Sequence, residues 1–250
     1  MVSNCPFPKK VQTAAEAIAA VIRSTQTFFY MEDQFFVGTD QLAAAIRDAL
    51  SSDLNRWGVV VIASDDAVSA SAPAGTPNRL PDVPFHRRQF LRPLMSDLSP
   101  RLLVFERIGD DGTTTGPGAY VHSKLTIVDD TVAVVGSANS NYRSWTHDSE
   151  VMVTIVDPSG PGGIDPKDWQ PIRAMRAAIW QQHLRAVADP TMGNPLAAHT
   201  FWTDVWAGKS KTTHVRPYQP PTLPSRPKWA WTAPAPVAEK YWTGILDPRA

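Results

Sequence analysis

Apolar residues recur along this chain with two different periods, and the switches between them mark out alternating helices and strands. In VQTAAEAIAAVIRST (11–25), Ala14, Ile18, Val21 and Ile22 fall on one stripe at helical spacing, which predicts an amphipathic helix. TFFYMEDQFFV (27–37) is rich in β-formers and predicts a strand running into a loop. TDQLAAAIRDAL (39–50) opens on a capping residue and continues in helix formers. GVVVIAS (58–64) is a continuous apolar run ended by turn-prone Ser64, Asp65 and Asp66, the pattern of a buried strand. After a Pro- and Ala-rich loop over 70–84, HRRQFLRPLMSDL (86–98) predicts a helix broken or restarted near Pro93.

The second half continues the alternation. RLLVFERI (101–108) reads as a strand, and DDGTTTGPG (110–118) as a loop. KLTIVDD and TVAVVGS form two β runs joined at Asp129 and Asp130, a predicted hairpin. EVMVTIVD (150–157) supplies another strand, and residues 165–188 a long helix with Pro171 near its first turn. Strands alternating with helices predict an α/β fold, a layered α-β-α sandwich. The expected division is a lobe over 10–187 and a Pro/Trp-rich extension over 188–250. The extension is expected to be irregular and to pack on the lobe or on a partner, since its last 51 residues hold five of the nine tryptophans.

Composition narrows the class. With 43% hydrophobic and 19% charged residues, the 250-residue chain is globular rather than disordered. Its formal charge of zero provides no global field for nucleic acid or anionic lipid. The single cysteine, Cys5, excludes an internal disulfide framework. MVSNCPFPKK lacks a signal-peptide core, and no apolar run is long enough to span a membrane. As written, the chain is expected to be cytoplasmic; a missing N-terminal region would make it secreted.

The chemistry concentrates in VHSKLTIVDDTVAVVGSANSN (121–141). Strand alternation places His122 and Lys124 on one face. An imidazole, with an ordinary pKa of roughly 6.5, exchanges protons near neutrality or attacks as a nucleophile. A lysine beside it balances phosphoryl charge. Gly136 allows close backbone approach, so that Ser137 and Asn139 donate to phosphate oxygens. Arg87, Arg88 and Arg92 face either an anionic substrate or membrane, or solvent along a helix. His86, His147, His183, His199 and His214 read as surface or packing residues.

The sequence His122-x-Lys124-x4-Asp129, followed by Gly136-Ser137-x-Asn139, resembles the signature of the phospholipase D superfamily. Tyr30 to Phe36 (YMEDQFF) is similar to the segment preceding the second signature copy in phosphatidyl-hydrolysing members. The resemblance covers roughly 10–187 and implies one lobe of that fold, built on a mixed sheet. It implies catalytic roles for His122, Lys124, Asp129 and Glu150, and phosphate contacts from Lys124, Ser137 and Asn139. Asp129 itself, at a turn, is expected to make structural hydrogen bonds and salt bridges rather than to touch substrate. Glu150 is expected to hydrogen-bond the histidine and hold its tautomer, with Asp148 as the nearby substitute.

In that family two signature copies meet, one histidine forming a phosphohistidine while the other protonates the leaving alcohol. No metal or other cofactor is implied. By its neighbours this copy matches the C-terminal lobe, where His122 acts as general acid and then base. No second H-x-K-x4-D occurs in the chain. Three readings stay open: a one-copy phosphodiesterase completed by homodimerisation, half of an enzyme whose other lobe is a separate chain, and a phosphate- or lipid-binding module. The expected substrate is a phospholipid or another phosphodiester, with transient membrane-surface contact and nucleic acid the lesser alternative.

Overall fold

A computed structural model describes residues 2–5, 11–70, 83–109, 118–146, 148–157, 170–185, 189–210 and 213–220. Its centre is a nine-stranded mixed sheet in the order β2-β1-β8-β7-β6-β3-β4-β5-β9. The strands are β1 (Val2–Cys5), β2 (Val11–Gln12), β3 (Phe28–Asp33), β4 (Trp57–Ile62), β5 (Leu102–Arg107), β6 (Leu125–Val128), β7 (Val132–Gly136), β8 (Glu150–Val156) and β9 (Val215–Pro217). β3, β4 and β5 run parallel, while β6 returns antiparallel to β3. The apolar runs of β3 and β4 are buried throughout, because helices cover both of their faces.

One face carries α1 (Thr13–Arg23), α2 (Asp40–Ser51) and α4 (Val83–Leu98), which bury Ile18, Ile22, Leu42, Ile46, Leu91 and Leu94 against it. The other carries α6 (Pro171–Leu184) and α7 (Pro195–Trp206), with Trp180 and Trp202 wedged over Phe28, Tyr30 and Phe105. The fold is the α-β-α sandwich that the alternation predicts. Two short helices, α3 (Asp65–Ala70) and α5 (Tyr142–Thr146), complete it.

Three details differ from the sequence reading. α4 passes through Pro93 unbroken, because Pro93 and Gln89 lie on its exposed face, where the unpaired carbonyl reaches water. The extension begins with regular structure. Asn194 caps α7, Pro195 opens it, and β9 adds the edge strand beside β5. Arg87 faces neither substrate nor solvent. It is fully buried and donates to the carbonyls of Gln34, Phe35 and Ala63 and to Asp65. His147, residues 158–169 and the tail from 221, with Trp229, Trp231 and Trp242, lie outside the described residues.

The β6–β7 hairpin forms where expected. Asp129 and Asp130 both take positive φ (51° and 58°), and Thr131 N donates to the Val128 carbonyl at 2.9 Å, the geometry of a type I′ turn. Both carboxylates then serve the fold. Asp129 accepts from the backbone N–H groups of Gln26, Thr27 and Phe28, and Asp130 takes a bidentate bond from buried Arg176. Among the described residues no helix is long and apolar enough to cross a membrane.

Candidate active site

The end of the sheet opposite the Asp129 turn gathers the start of β6, the end of β3 and the loop after β7. In the antiparallel β3–β6 pair, Glu32 lies opposite Leu125, so Asp33 and Gln34 continue alongside Lys124 and Ser123. Asp129 stands at the far end of β6, roughly 20 Å away by the strand rise. It anchors β3 and takes no part in the cluster.

His122 is exposed, and among the described residues its ring nitrogens make no hydrogen bond. Its ring stacks on Tyr120 at 5.9 Å between centroids and 21° between planes. Lys124 is buried, and its ammonium donates to Gln34 Oε1 at 3.1 Å and to the His122 carbonyl at 2.7 Å. Burial lowers the Lys124 pKa, and the nearby Asp33 and Glu150 carboxylates partly oppose that shift. The result is a desolvated cation bonded to the backbone of the residue that bears an accessible imidazole.

The loop after β7 needs Gly136, because a Cβ there would lie 2.1 Å from the Val151 carbonyl oxygen and 2.5 Å from Met152 Sδ. Ser137 is exposed, and its hydroxyl donates to Glu150 Oε2 while accepting from Val151 N at 3.0 Å. It therefore reaches a phosphate only by rotating away from Glu150. Glu150 bonds Ser137 rather than His122, so it does not orient the imidazole within this chain. Asn139 is half-buried, and its Oδ1 is enclosed without a hydrogen-bond partner. Asp148 pairs with Arg143 at the surface.

Three consecutive residues of the YMEDQFF segment hold this arrangement, each gripping a different part. Glu32 accepts from Ser123 Oγ, from Tyr30 at 2.6 Å and from His183 Nε2 at 2.8 Å. Asp33, fully enclosed, accepts from the N–H groups of Phe35, Phe36 and Ser140, tying its own turn to the Asn139 loop. Its burial outweighs those bonds and raises its pKa. Gln34 reaches both Lys124 and Tyr120. The sequence alone marks the segment but assigns no roles to Gln34, Ser123 or Tyr120, and it reads His183 as a surface or packing residue. The available signal was the run of three polar residues at the end of an otherwise apolar strand, where side chains alternate between faces.

The Glu32 cluster has a measurable consequence. Burial alone would raise the Glu32 pKa, but the bonds from His183, Ser123 and Tyr30 and the His183 charge bring it down to about 2. A depressed acid contributes stability above its unfolded pKa and loses it as pH falls towards the folded value. Glu32→Gln is therefore expected to lower unfolding stability at neutral pH by about 3 kcal/mol. The deficit should shrink between pH 4.5 and about 2, as read by urea titrations across that range.

Comparison with known proteins agrees with this architecture. A family model described as "Cardiolipin synthase, PLD-like domain" matches residues 18–161, and one described as "Phospholipase D" matches 114–215. Phospholipase D zeta 1 of Arabidopsis thaliana is 26% identical over 233 residues, covering 78% of this chain and 21% of that protein. Phospholipase D alpha 1 of Nicotiana tabacum is 41% identical over 78 residues, covering 30% of this chain and 9% of that one. The chain thus spans about a fifth or less of the length of these relatives. Phosphatidylserine synthase of Haemophilus influenzae Rd KW20 superposes with a TM-score of 0.57 at 14% identity, over 98% of this chain and 46% of that one. A family model that matches more than half of the chain shows where it belongs: it is a member of the phospholipase D superfamily.

Proposed function

We propose that this chain is one catalytic lobe of a phospholipase D-type phosphodiesterase that cleaves or exchanges phospholipid head groups. The observation that carries the reading is the open His122 imidazole in front of the buried Lys124 ammonium. In the proposed reaction a histidine from a second lobe attacks phosphorus, forming an N–P bond as the P–O bond to the head group breaks. His122 protonates the departing alkoxide. It then takes a proton from water, or from an acceptor alcohol, as that oxygen attacks phosphorus and the N–P bond breaks. Lys124 and Asn139 hold the non-bridging oxygens, joined by Ser137 once it turns from Glu150.

The names of the relatives support a phospholipid substrate, and the zero net charge gives nucleic acid no comparable support. We take the second lobe to be another copy of this chain. Val135, Val151, Val153 and Ile155 form an exposed apolar patch on paired strands β7 and β8, next to the Ser137 loop. Two copies meeting there would put two His122 residues about one axis.

The test is release of choline from phosphatidylcholine vesicles, alongside hydrolysis of bis(4-nitrophenyl) phosphate and single-stranded DNA. The expected result is turnover of the lipid and the small diester. Cleavage of DNA alone would replace the lipid assignment with a nuclease. Activity on none of the three would leave a binding module or a half-enzyme whose other lobe is a separate chain.

A further inference from the structure

We infer that Gln34 and Tyr120 form a clamp that positions His122 against Lys124; its catalytic consequence rests on the proposed phosphodiesterase reading. The need for such a device follows from the site itself. His122 is exposed, its ring makes no hydrogen bond among the described residues, and Glu150 is turned to Ser137. A solvent-exposed imidazole of this kind samples several staggered rotamers. Its described side-chain contact is the Tyr120 ring, nearly parallel at 21°.

Tyr120 is itself 44% exposed, so packing alone does not fix it. Its hydroxyl accepts from Gln34 Nε2, and Gln34 is almost wholly buried. The amide orientation is dictated by chemistry: an ammonium only donates, so Gln34 Oε1 must face Lys124 and Nε2 must face the phenol. One side chain thereby sets both the lysine and the ring on which the histidine lies. Gln34 is fixed in turn through its own carbonyl, which accepts from Arg87 at 2.8 Å. The backbone leading to Tyr120 is tied at Ala119, which donates to the Arg107 carbonyl and accepts from Ser64 N.

Gln34 and Tyr120 are therefore positioning residues. Stacking of this kind favours one imidazole orientation by up to about tenfold. Displacing a catalytic group by about 1 Å costs up to about 100-fold in rate.

The experiment combines kinetics with NMR of the full chain labelled at histidine, the His122 signal being assigned by its absence in His122→Ala. In wild type, ring current from Tyr120 should shift the His122 ring protons upfield. Tyr120→Phe, which keeps the ring but loses the Gln34 bond, should weaken and broaden that shift, whereas Tyr120→Ala should lose it, with unchanged thermal stability in both. Gln34→Ala should broaden or move the His122 signal although it does not touch that ring. In turnover, Tyr120→Ala and Gln34→Ala should lower kcat about 10- to 100-fold with KM within about twofold, and Tyr120→Phe only a few-fold.

An unchanged His122 spectrum in Tyr120→Ala overturns the clamp. So does a kcat equal to wild type, or an effect confined to KM, which would make Tyr120 a substrate wall. If wild type has no turnover, the proposed reaction fails on its own, and the NMR series still decides whether Tyr120 and Gln34 hold His122.

Discussion

Replacing His122 with alanine is expected to reduce phosphodiester turnover by about 10⁴-fold or to background, without lowering thermal stability. The kinetic loss follows from its proposed role in protonating the leaving alkoxide and then deprotonating the attacking oxygen. The unchanged stability follows from its exposure and from a ring without hydrogen bonds among the described residues. Lys124→Ala should also abolish turnover but should unfold more readily. It removes a buried cation from between Gln34, Asp33 and Glu150, and so leaves the two carboxylates unbalanced. Turnover paired with a melting curve separates the two cases. Substantial turnover in His122→Ala would remove this residue from the chemistry.

The largest expected effect on stability lies at Arg87. Its guanidinium is fully buried, and its three nitrogens donate to three carbonyls and to Asp65 at 2.6–2.9 Å. Arg87→Ala would strand those acceptors and the largely buried Asp65 carboxylate. We expect a loss of about 3–5 kcal/mol, seen as a lower denaturant midpoint with little change in slope. Arg87→Lys should rescue little, because a lysine cannot reproduce the planar fork. Two of the stranded carbonyls belong to Gln34 and Phe35, so whatever fraction folds should also lose activity. A variant as stable as wild type would show that these bonds are replaceable by water.

The contrast between His122 and Arg87 shows what the sequence makes legible. His122, Lys124 and the Ser137–Asn139 loop are close in sequence, and strand alternation with turn chemistry is local physics. Their placement at one sheet end, and the α-β-α layering, could accordingly be read from the chain. Asp129 and Asp130 could be assigned to a turn for the same reason, although their partners Gln26, Thr27, Phe28 and Arg176 are far away in sequence.

What stayed hidden depends on contacts between distant segments. The apolar alternation of HRRQFLRPLMSDL does not reveal that Arg87 points inwards, because an arginine is exposed unless carbonyls from elsewhere meet it. His183 pairs with Glu32 across 151 residues, and Gln34 meets Tyr120 across 86. Glu150 bonds Ser137 instead of His122, a partner that spacing alone does not settle. α7 and β9 escaped the sequence reading because proline and tryptophan content suggested irregular chain. In the fold, proline opens the helix and tryptophan fills the layer beneath it.

In the proposed assembly one chain carries half of a phosphoryl-transfer site and a second copy carries the other half. Mixing wild-type chain with equimolar His122→Ala chain, at fixed total concentration and after subunit exchange, tests it most directly. If each site needs His122 from both copies, random pairing leaves about one quarter of the wild-type activity, and light scattering shows a dimer. Half of the activity, or full activity from a monomer, would contradict the claim, because each chain would then be working alone.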